Sequence, residues 1–138
     1  MKTYKIVFLF SFSGLLFFLS SCEQQYRDGE RIYSIHCENC HMKDGKGLEE
    51  LYPPLAGSDY LSNRGADIAC LIRYGANEPM LVNGVEYHNL MPANKQLKLV
   101  EIANLLNYVN QAWENNNKFI NIKEIQEALD NCPEIKTR

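Results

Sequence analysis

Apolar side chains recur at intervals of three and four along the C-terminal half of the chain, and this spacing predicts helices. The clearest helix is predicted from Gln96 to Trp113, and its apolar face carries Leu99, Ile102, Leu106, Val109 and Trp113. A last helix is predicted from Ile122 to Asn131, with Asn121 as its N-cap and Glu124 at the place of a capping-box glutamate. Three asparagines at 115–117 separate the two helices.

The segments before them are predicted to be shorter helices and long loops. Asp28 is predicted to cap a helix that ends near His36, with Ile32 and Ile35 on its apolar face. A second short helix is predicted from Ala66 to Tyr74, stopped by Gly75. Residues 42–47 are predicted to be a glycine-containing loop, and the proline-containing segments 48–64 and 76–94 to be mostly irregular and a long loop, respectively. We see no strand-like alternation, so the sequence predicts a small all-α domain whose long loops surround something.

The N-terminal segment has the pattern of a secretory signal. Lys2 and Lys5 precede an uncharged apolar run, 6–19, that is shorter than the roughly 20 residues of a membrane-spanning helix. The run ends in Leu19-Ser20-Ser21-Cys22, which resembles the lipoprotein box of bacteria. The resemblance implies lipidation of Cys22 and removal of residues 1–21. The alternative is an ordinary cleaved signal that happens to lie near a cysteine.

Composition and charge limit the partners of the mature chain. Removing Lys2 and Lys5 from the 14 basic residues leaves 12 against 17 acidic ones, so the net charge becomes −5. This balance does not resemble a nucleic-acid-binding surface. With the lipoprotein box, the sequence predicts an exported protein that is lipid-anchored to a bacterial membrane and faces the periplasm.

Five cysteines are also typical of an exported protein of this size. Apart from Cys22 and the pair described next, Cys70 and Cys132 remain. In an oxidising compartment two such cysteines most often form a disulfide, which here would close a long loop. The alternative is two buried free thiols, because the sequence does not show whether the two Cα atoms approach within bonding range.

The strongest chemical signal is Cys37-Glu38-Asn39-Cys40-His41, the attachment pattern of c-type haem. Two thiols three positions apart can form thioether bonds to the two vinyl groups of one porphyrin, and the adjacent His41 can bind the iron. A thioredoxin-like redox pair would need a βαβ context, which is absent from the pattern. A zinc site would need further ligands with suitable spacing, and the chain has only His36 and His88 besides His41.

Around this motif the chain resembles the class I cytochromes c, especially small bacterial monohaem members, over roughly residues 28–113. Gly29 and Tyr33 precede Cys37 at the spacing of the family's first helix, where the glycine permits a close crossing by the last core helix. Tyr108 resembles the aromatic partner at that crossing.

The resemblance also implies the surroundings of the iron. The Pro53 carbonyl accepts a hydrogen bond from the His41 ring, Leu55 packs on the haem, and Met91, in Asn89-Leu90-Met91-Pro92, is the second axial ligand. Met80, His88 or an open position are the alternatives to Met91. For the haem propionates the candidates are Arg64, Arg73, Tyr60 and Tyr87, each of which is equally consistent with a solvated surface role.

These observations predict four segments: a signal peptide (1–21), a tether (22–27), a cytochrome c domain (28–114) and a C-terminal extension (115–138) that carries an extra helix. Ligation by histidine and methionine leaves no open iron position, which favours an electron carrier over an enzyme. The predicted function is a membrane-anchored shuttle with a diffusible head, moving single electrons between respiratory redox partner proteins through one covalent haem c. The alternatives are a dedicated haem subunit of a larger oxidase, dehydrogenase or nitrite reductase, and a haem enzyme or sensor with an open iron site.

Overall fold

The structure is a computed structural model that describes the backbone of residues 21–132 and the side chains of residues 26–132. Most of this part of the chain is helical, with one short hairpin. The elements, in chain order, are α1 Ser21–His36, α2 Glu38–His41, α3 Asp59–Arg64, a 3₁₀ turn Gly65–Asp67, α4 Ile68–Tyr74, β1 Met80–Val82, β2 Val85–Tyr87, α5 Leu99–Gln111, a 3₁₀ turn Ala112–Glu114 and α6 Ile122–Asp130.

Helices α1 and α5 cross closely at Gly29. A Cβ atom on Gly29 would collide with the carbonyl oxygen of Asn104 and with the Cβ of Tyr108, so only glycine permits this approach. The ring of Tyr33 lies 5.6 Å from that of Tyr108, between centroids, and is almost fully buried. The predicted crossing is therefore confirmed.

The hydrophobic core lies mainly beneath α5. The predicted apolar stripe is confirmed, since Ile102, Leu106 and Val109 are buried together with Leu105. On α1 the prediction is right for Ile32, which is buried, and wrong for Ile35, which is 63% exposed. The predicted helix at 96–113 is two segments in the structure, because α5 ends at Gln111 and Trp113 has a left-handed backbone with φ 52°.

The C-terminal extension packs on the domain through α6. Asn121 caps this helix as predicted, since its Oδ1 accepts hydrogen bonds from the backbone N–H groups of Lys123 and Glu124, both at 3.0 Å. The Glu124 carboxylate accepts in return from the Asn121 N–H at 2.8 Å, which completes the capping box. The hydrogen bond from the Asn121 N–H and, to a smaller extent, that from the Lys118 side chain lower the pKa of Glu124. Ile125 faces the core and is fully buried.

A disulfide links Cys70 on α4 to Cys132 after α6, with a Cα–Cα distance of 5.7 Å. The two residues are 62 positions apart in the sequence. On the chain-entropy account, a cross-link that closes a loop of this length stabilises the folded state by roughly 4 kcal/mol. The bond fixes the far end of the extension to the helix that it covers.

The predicted start of the first helix is wrong. Helix α1 begins at Ser21, not at Asp28, so the backbone of the predicted tether 22–27 is helical. The aromatic ring of Tyr26 packs against Tyr108, and this tertiary contact holds the added turn on the domain.

The segment 48–64 is mostly irregular, as predicted. Its end forms helix α3, which Ser58 caps by accepting a hydrogen bond from the Leu61 N–H at 3.2 Å.

The absence of strands is also a wrong prediction. Strands β1 and β2 pair in antiparallel register inside the predicted loop 76–94. Asn83 and Gly84 connect them, with φ values of 51° and 79°, which is the backbone of a two-residue hairpin turn. The Asn-Gly pair was the signal for this hairpin, and each strand is too short to show alternation.

No helix in the described part of the chain is long and apolar enough to cross a membrane. The predicted signal peptide and residues Leu19 and Ser20 of the lipoprotein box lie outside the described residues, and the backbone of Cys22 lies in the first turn of α1. Lipidation of Cys22 therefore stays a prediction.

We predict that Gly29→Ala lowers the free energy of unfolding by about 1–3 kcal/mol, because the added methyl group forces α1 and α5 apart. Denaturant unfolding followed by circular dichroism measures the change. Glu30→Ala is the matched control, since Glu30 is the exposed neighbour of Gly29, and it should stay within about 0.5 kcal/mol of the wild type. Equal stability of the two variants would contradict the crossing.

Candidate haem site

The Cys-x-x-Cys-His motif forms one helical turn at the junction of α1 and α2. The N–H of Cys37 donates to the Tyr33 carbonyl at 2.8 Å, and the N–H groups of Cys40 and His41 donate to the Cys37 carbonyl at 3.1 and 2.9 Å. Residues three and four positions apart on a helix lie on the same face. The turn therefore presents two thiols and one imidazole in the same direction, and both thiols are free in the structure.

That face of the motif borders an apolar cavity that is partly open to solvent. Its walls come from the motif, the proline-rich loop (residues 52–58), α3, α4, the hairpin, the loop that carries Met91, and α5. The residues that line it include Cys37, His41, Pro53, Leu55, Tyr60, Ile68, Leu71, Ile72, Met80, Val82, Met91, Leu105, Leu106 and Val109. A concave site with so apolar a lining has the character of a site for a hydrophobic ligand.

The imidazole of His41 is oriented by the proline-rich loop. Its Nδ1 lies 3.0 Å from the carbonyl oxygen of Pro53, which can only accept, so Nδ1 carries the proton. Burial lowers the pKa of His41, and the hydrogen bond to Pro53 partly opposes this shift. A neutral ring protonated at Nδ1 keeps Nε2 as the nitrogen that can bind a metal.

Two glycines support the loop that carries Pro53. A Cβ atom on Gly47 would collide with the carbonyl oxygens of Tyr52 and Pro53, so Gly47 allows the loop to lie directly against the motif. The carbonyl of Gly45 accepts hydrogen bonds from the N–H groups of Leu55 and Ala56, at 2.7 and 2.9 Å. Both glycines have positive φ values near 68°. The sequence alone indicates no role for either glycine.

Met91 reaches the cavity from the loop between the hairpin and α5. Its backbone forms a two-way bridge with Ala76, with both N–O distances at 2.9 Å. A Cβ atom on Gly75 would collide with the Met91 carbonyl, so this loop also depends on a glycine for its close packing. Met80 lines the same cavity from β1. His88 is exposed, lies 3.8 Å from Glu86, and is not among the residues that line the cavity.

The Cys37 thiol lies in an uncharged environment. Burial and, to a smaller extent, the neighbouring Cys40 together raise the pKa of Cys37 to about 12. At neutral pH Cys37 is therefore an uncharged thiol, which suits its position in the wall of an apolar cavity. Of the four residues considered for the propionates, Tyr60 lines the cavity. Arg73 instead donates to the Lys95 carbonyl at 3.1 Å, and Arg64 stacks on the Tyr60 ring.

The donor set fits a haem. Two free thiols, a neutral imidazole held by a carbonyl, and an apolar cavity with methionines on its wall are the groups that c-type haem requires. In the described part of the chain no three histidine, cysteine, aspartate or glutamate side chains cluster as they would around a bare metal ion. A helical domain that presents these groups to one cavity is of the class that binds haem c covalently.

Comparison with known proteins agrees with this class. Residues 24–109 match the family model described as cytochrome C oxidase, cbb3-type, subunit III. The chain is 36% identical over 90 residues to a cytochrome c-552 of Thermus thermophilus, a match that covers 62% of this chain and 68% of that protein. A second cytochrome c-552 from the same species is also 36% identical over 90 residues, and the match covers 60% of its length.

A third relative is the cytochrome c subunit of the quinone alcohol dehydrogenase of Gluconobacter oxydans. It is 31% identical over 90 residues, which is 64% of this chain but 19% of that protein. The chain therefore belongs to the cytochrome c family, as a monohaem member of the class I type. It binds one haem c covalently.

We predict that Cys37→Ala/Cys40→Ala abolishes covalent attachment, because these two thiols supply the thioether bonds. In the purified wild type, haem should stay with the polypeptide after denaturation and acid–acetone extraction, whereas the double variant should release it. Cys70→Ala/Cys132→Ala is the matched control, since it removes two cysteines that do not line the cavity. Release of haem by the control would contradict the assignment.

Proposed function

We propose that the protein carries single electrons through a haem whose iron is bound by His41 and Met91. The observation that supports this most directly is the His41 ring, fixed by Pro53 at 3.0 Å, on the wall of a cavity that Met91 also lines. The haem iron supplies the one-electron chemistry, and a methionine sulfur opposite an imidazole favours its reduced state. A complete ligand set leaves no position for a substrate, so the carrier function follows from the ligands.

Three features favour Met91 over Met80 as the second ligand. The bridge to Ala76 and the close packing on Gly75 fix the Met91 backbone from two sides. Pro92 restricts the residue before it to extended conformations, which removes further freedom from Met91. Leu55 also lines the cavity, as required if it packs on the haem.

A second candidate function is that of a dedicated haem subunit in a larger redox enzyme. The name of the matching family and the likeness to the alcohol dehydrogenase subunit favour this candidate. The same residues would hold the haem in either case, so only partner proteins distinguish the two. A stable complex that co-purifies with the chain would support the subunit, and a monomer that exchanges electrons with several partners would support the shuttle.

We further propose that the chain is exported and anchored to a bacterial membrane through lipid on Cys22, on the periplasmic side. Tyr26 already belongs to the folded domain, since its ring centroid lies 5.0 Å from that of Tyr108. Only residues 23–25 then separate the anchor from the domain. Even fully extended, four residue spacings reach about 14 Å. The haem domain would therefore stay close to the membrane surface, which favours a partner whose redox centre also lies at that surface.

We predict that Met91→Ala opens the iron to external ligands, because no other side chain replaces the sulfur. Stopped-flow mixing of the reduced protein with carbon monoxide near neutral pH should show rapid binding to this variant. Wild type and the matched control Met80→Ala should not bind. Rapid binding by the wild type would instead favour a haem enzyme or sensor, and binding by Met80→Ala alone would make Met80 the ligand.

We predict that Cys22→Ser releases the protein from membranes, because stable anchoring requires the acyl chains on this residue. Membrane fractionation and mass spectrometry of the N-terminal peptide measure the effect. Ser21→Ala is the control, since alanine keeps a small residue before the cysteine, and this variant should stay in the membrane fraction. A Cys22→Ser protein that remains fully membrane-bound would contradict the anchor.

A further inference from the structure

We propose that Asn115, in the extension beyond the region that the family model matches, is a positioning residue for the haem site. The match ends at residue 109, so Asn115 lies outside the part of the chain that the family model describes. The inference rests on the proposed ligation of the iron by His41, because its effect is transmitted through the Pro53 carbonyl. It does not depend on which methionine binds.

The carboxamide of Asn115 joins two walls of the haem cavity. Its Nδ2 donates to the Leu55 carbonyl at 3.1 Å and to the Val109 carbonyl at 2.7 Å. Its Oδ1 accepts from the Gly57 N–H at 2.7 Å. Leu55 and Val109 both line the cavity, one from the proline-rich loop and the other from α5. One side chain therefore ties the loop to the helix with both donors and its acceptor.

The segment held by Asn115 is continuous with the acceptor for His41. Pro53 lies two residues before Leu55, and the Leu55 N–H is bonded in turn to the Gly45 carbonyl at 2.7 Å. Trp113 holds the segment just before Gly45, because its Nε1 donates to the Lys43 carbonyl at 3.1 Å. Without Asn115, the loop would lose two hydrogen bonds shortly after Pro53, at Leu55 and Gly57, and its link to Val109 on α5. The Pro53 carbonyl would then be less firmly placed against His41.

The backbone that carries Asn115 is itself fixed. Its N–H donates to the Ala112 carbonyl at 3.0 Å, at the end of the 3₁₀ turn that follows α5. Further along, the Asn107 carboxamide exchanges hydrogen bonds with both backbone groups of Ile120, at 2.8 and 2.9 Å. The disulfide to Cys70 holds the end of the extension. The backbone of Asn115 is thus held in place independently of the proline-rich loop, so its side chain can act as a clamp on that loop.

Asn107 provides a matched control for a purely structural role. It is an asparagine that also ties α5 to the extension through its carboxamide, yet its bonds go to Ile120 and do not touch the proline-rich loop. Asn107→Ala should lower the free energy of unfolding without affecting His41. Asn115→Ala should affect both, if the clamp positions the Pro53 carbonyl.

The test is the hydrogen-exchange rate of the His41 Nδ1 proton, measured by NMR on the full holoprotein. Paramagnetically shifted ring signals of His41 in the oxidised wild type first establish that this histidine binds the iron, and their absence would overturn the proposed ligation itself. With that established, Asn115→Ala should exchange this proton at least about tenfold faster than wild type, equivalent to about 1.4 kcal/mol. Asn107→Ala should exchange it at the wild-type rate under conditions where both variants are folded.

Asn115→Ser serves as a second variant if Asn115→Ala does not accumulate as a folded protein. The serine hydroxyl keeps one donor and one acceptor, so an intermediate exchange rate is expected. Wild-type exchange of the His41 proton in the folded Asn115 variant would overturn the proposal, and so would equal acceleration in the Asn115 and Asn107 variants, since that result assigns Asn115 to general stability.

Discussion

The close crossing of α1 and α5 is the constraint on which the rest of the structure depends. Helix α1 leads directly into the turn that carries Cys37, Cys40 and His41, and α5 forms a wall of the cavity that these residues face. The distance between the motif and that wall is set where Gly29 meets Tyr108. A side chain at this contact would act on the haem site from a distance, because two rigid helices transmit the displacement along their length.

Close backbone contacts and hydrogen bonds help to order the loops around the cavity. Gly47 lies against the Pro53 carbonyl, which holds His41, and Gly75 lies against the Met91 carbonyl. A glycine therefore packs against the backbone that positions each proposed iron ligand. Asparagine side chains add hydrogen bonds to these segments. Asn83 donates to the Gly57 carbonyl, and Asn115 accepts from the Gly57 N–H. Hydrogen bonds to their peptide groups thus help to hold the long irregular segments in place. Without such partners, burial of these peptide groups would be unfavourable.

The sequence predicted the features that have local signals. The Cys-x-x-Cys-His motif, the apolar stripe of α5 and the capping box at Asn121 each depend on spacing within a few residues, and the helical features agree with the structure. Helix α3 and the start of α1 did not follow from spacing, because tertiary contacts such as Tyr26 with Tyr108 stabilise them. The support of His41 by Gly47, and the clamp at Asn115, join residues far apart in the chain, so no sequence window contains them.

The disulfide between Cys70 and Cys132 has a consequence for how the protein matures. Two thiols must be oxidised to make this bond, while Cys37 and Cys40 must stay reduced to react with the vinyl groups of haem. Four thiols can form six different single disulfides, and only the one between Cys70 and Cys132 leaves both thiols of the haem motif reduced. Once the chain has folded, burial keeps Cys37 protonated, and a protonated thiol is a poor partner in disulfide exchange. A chain that folds before haem attachment would therefore protect Cys37 from pairing with Cys70 or Cys132.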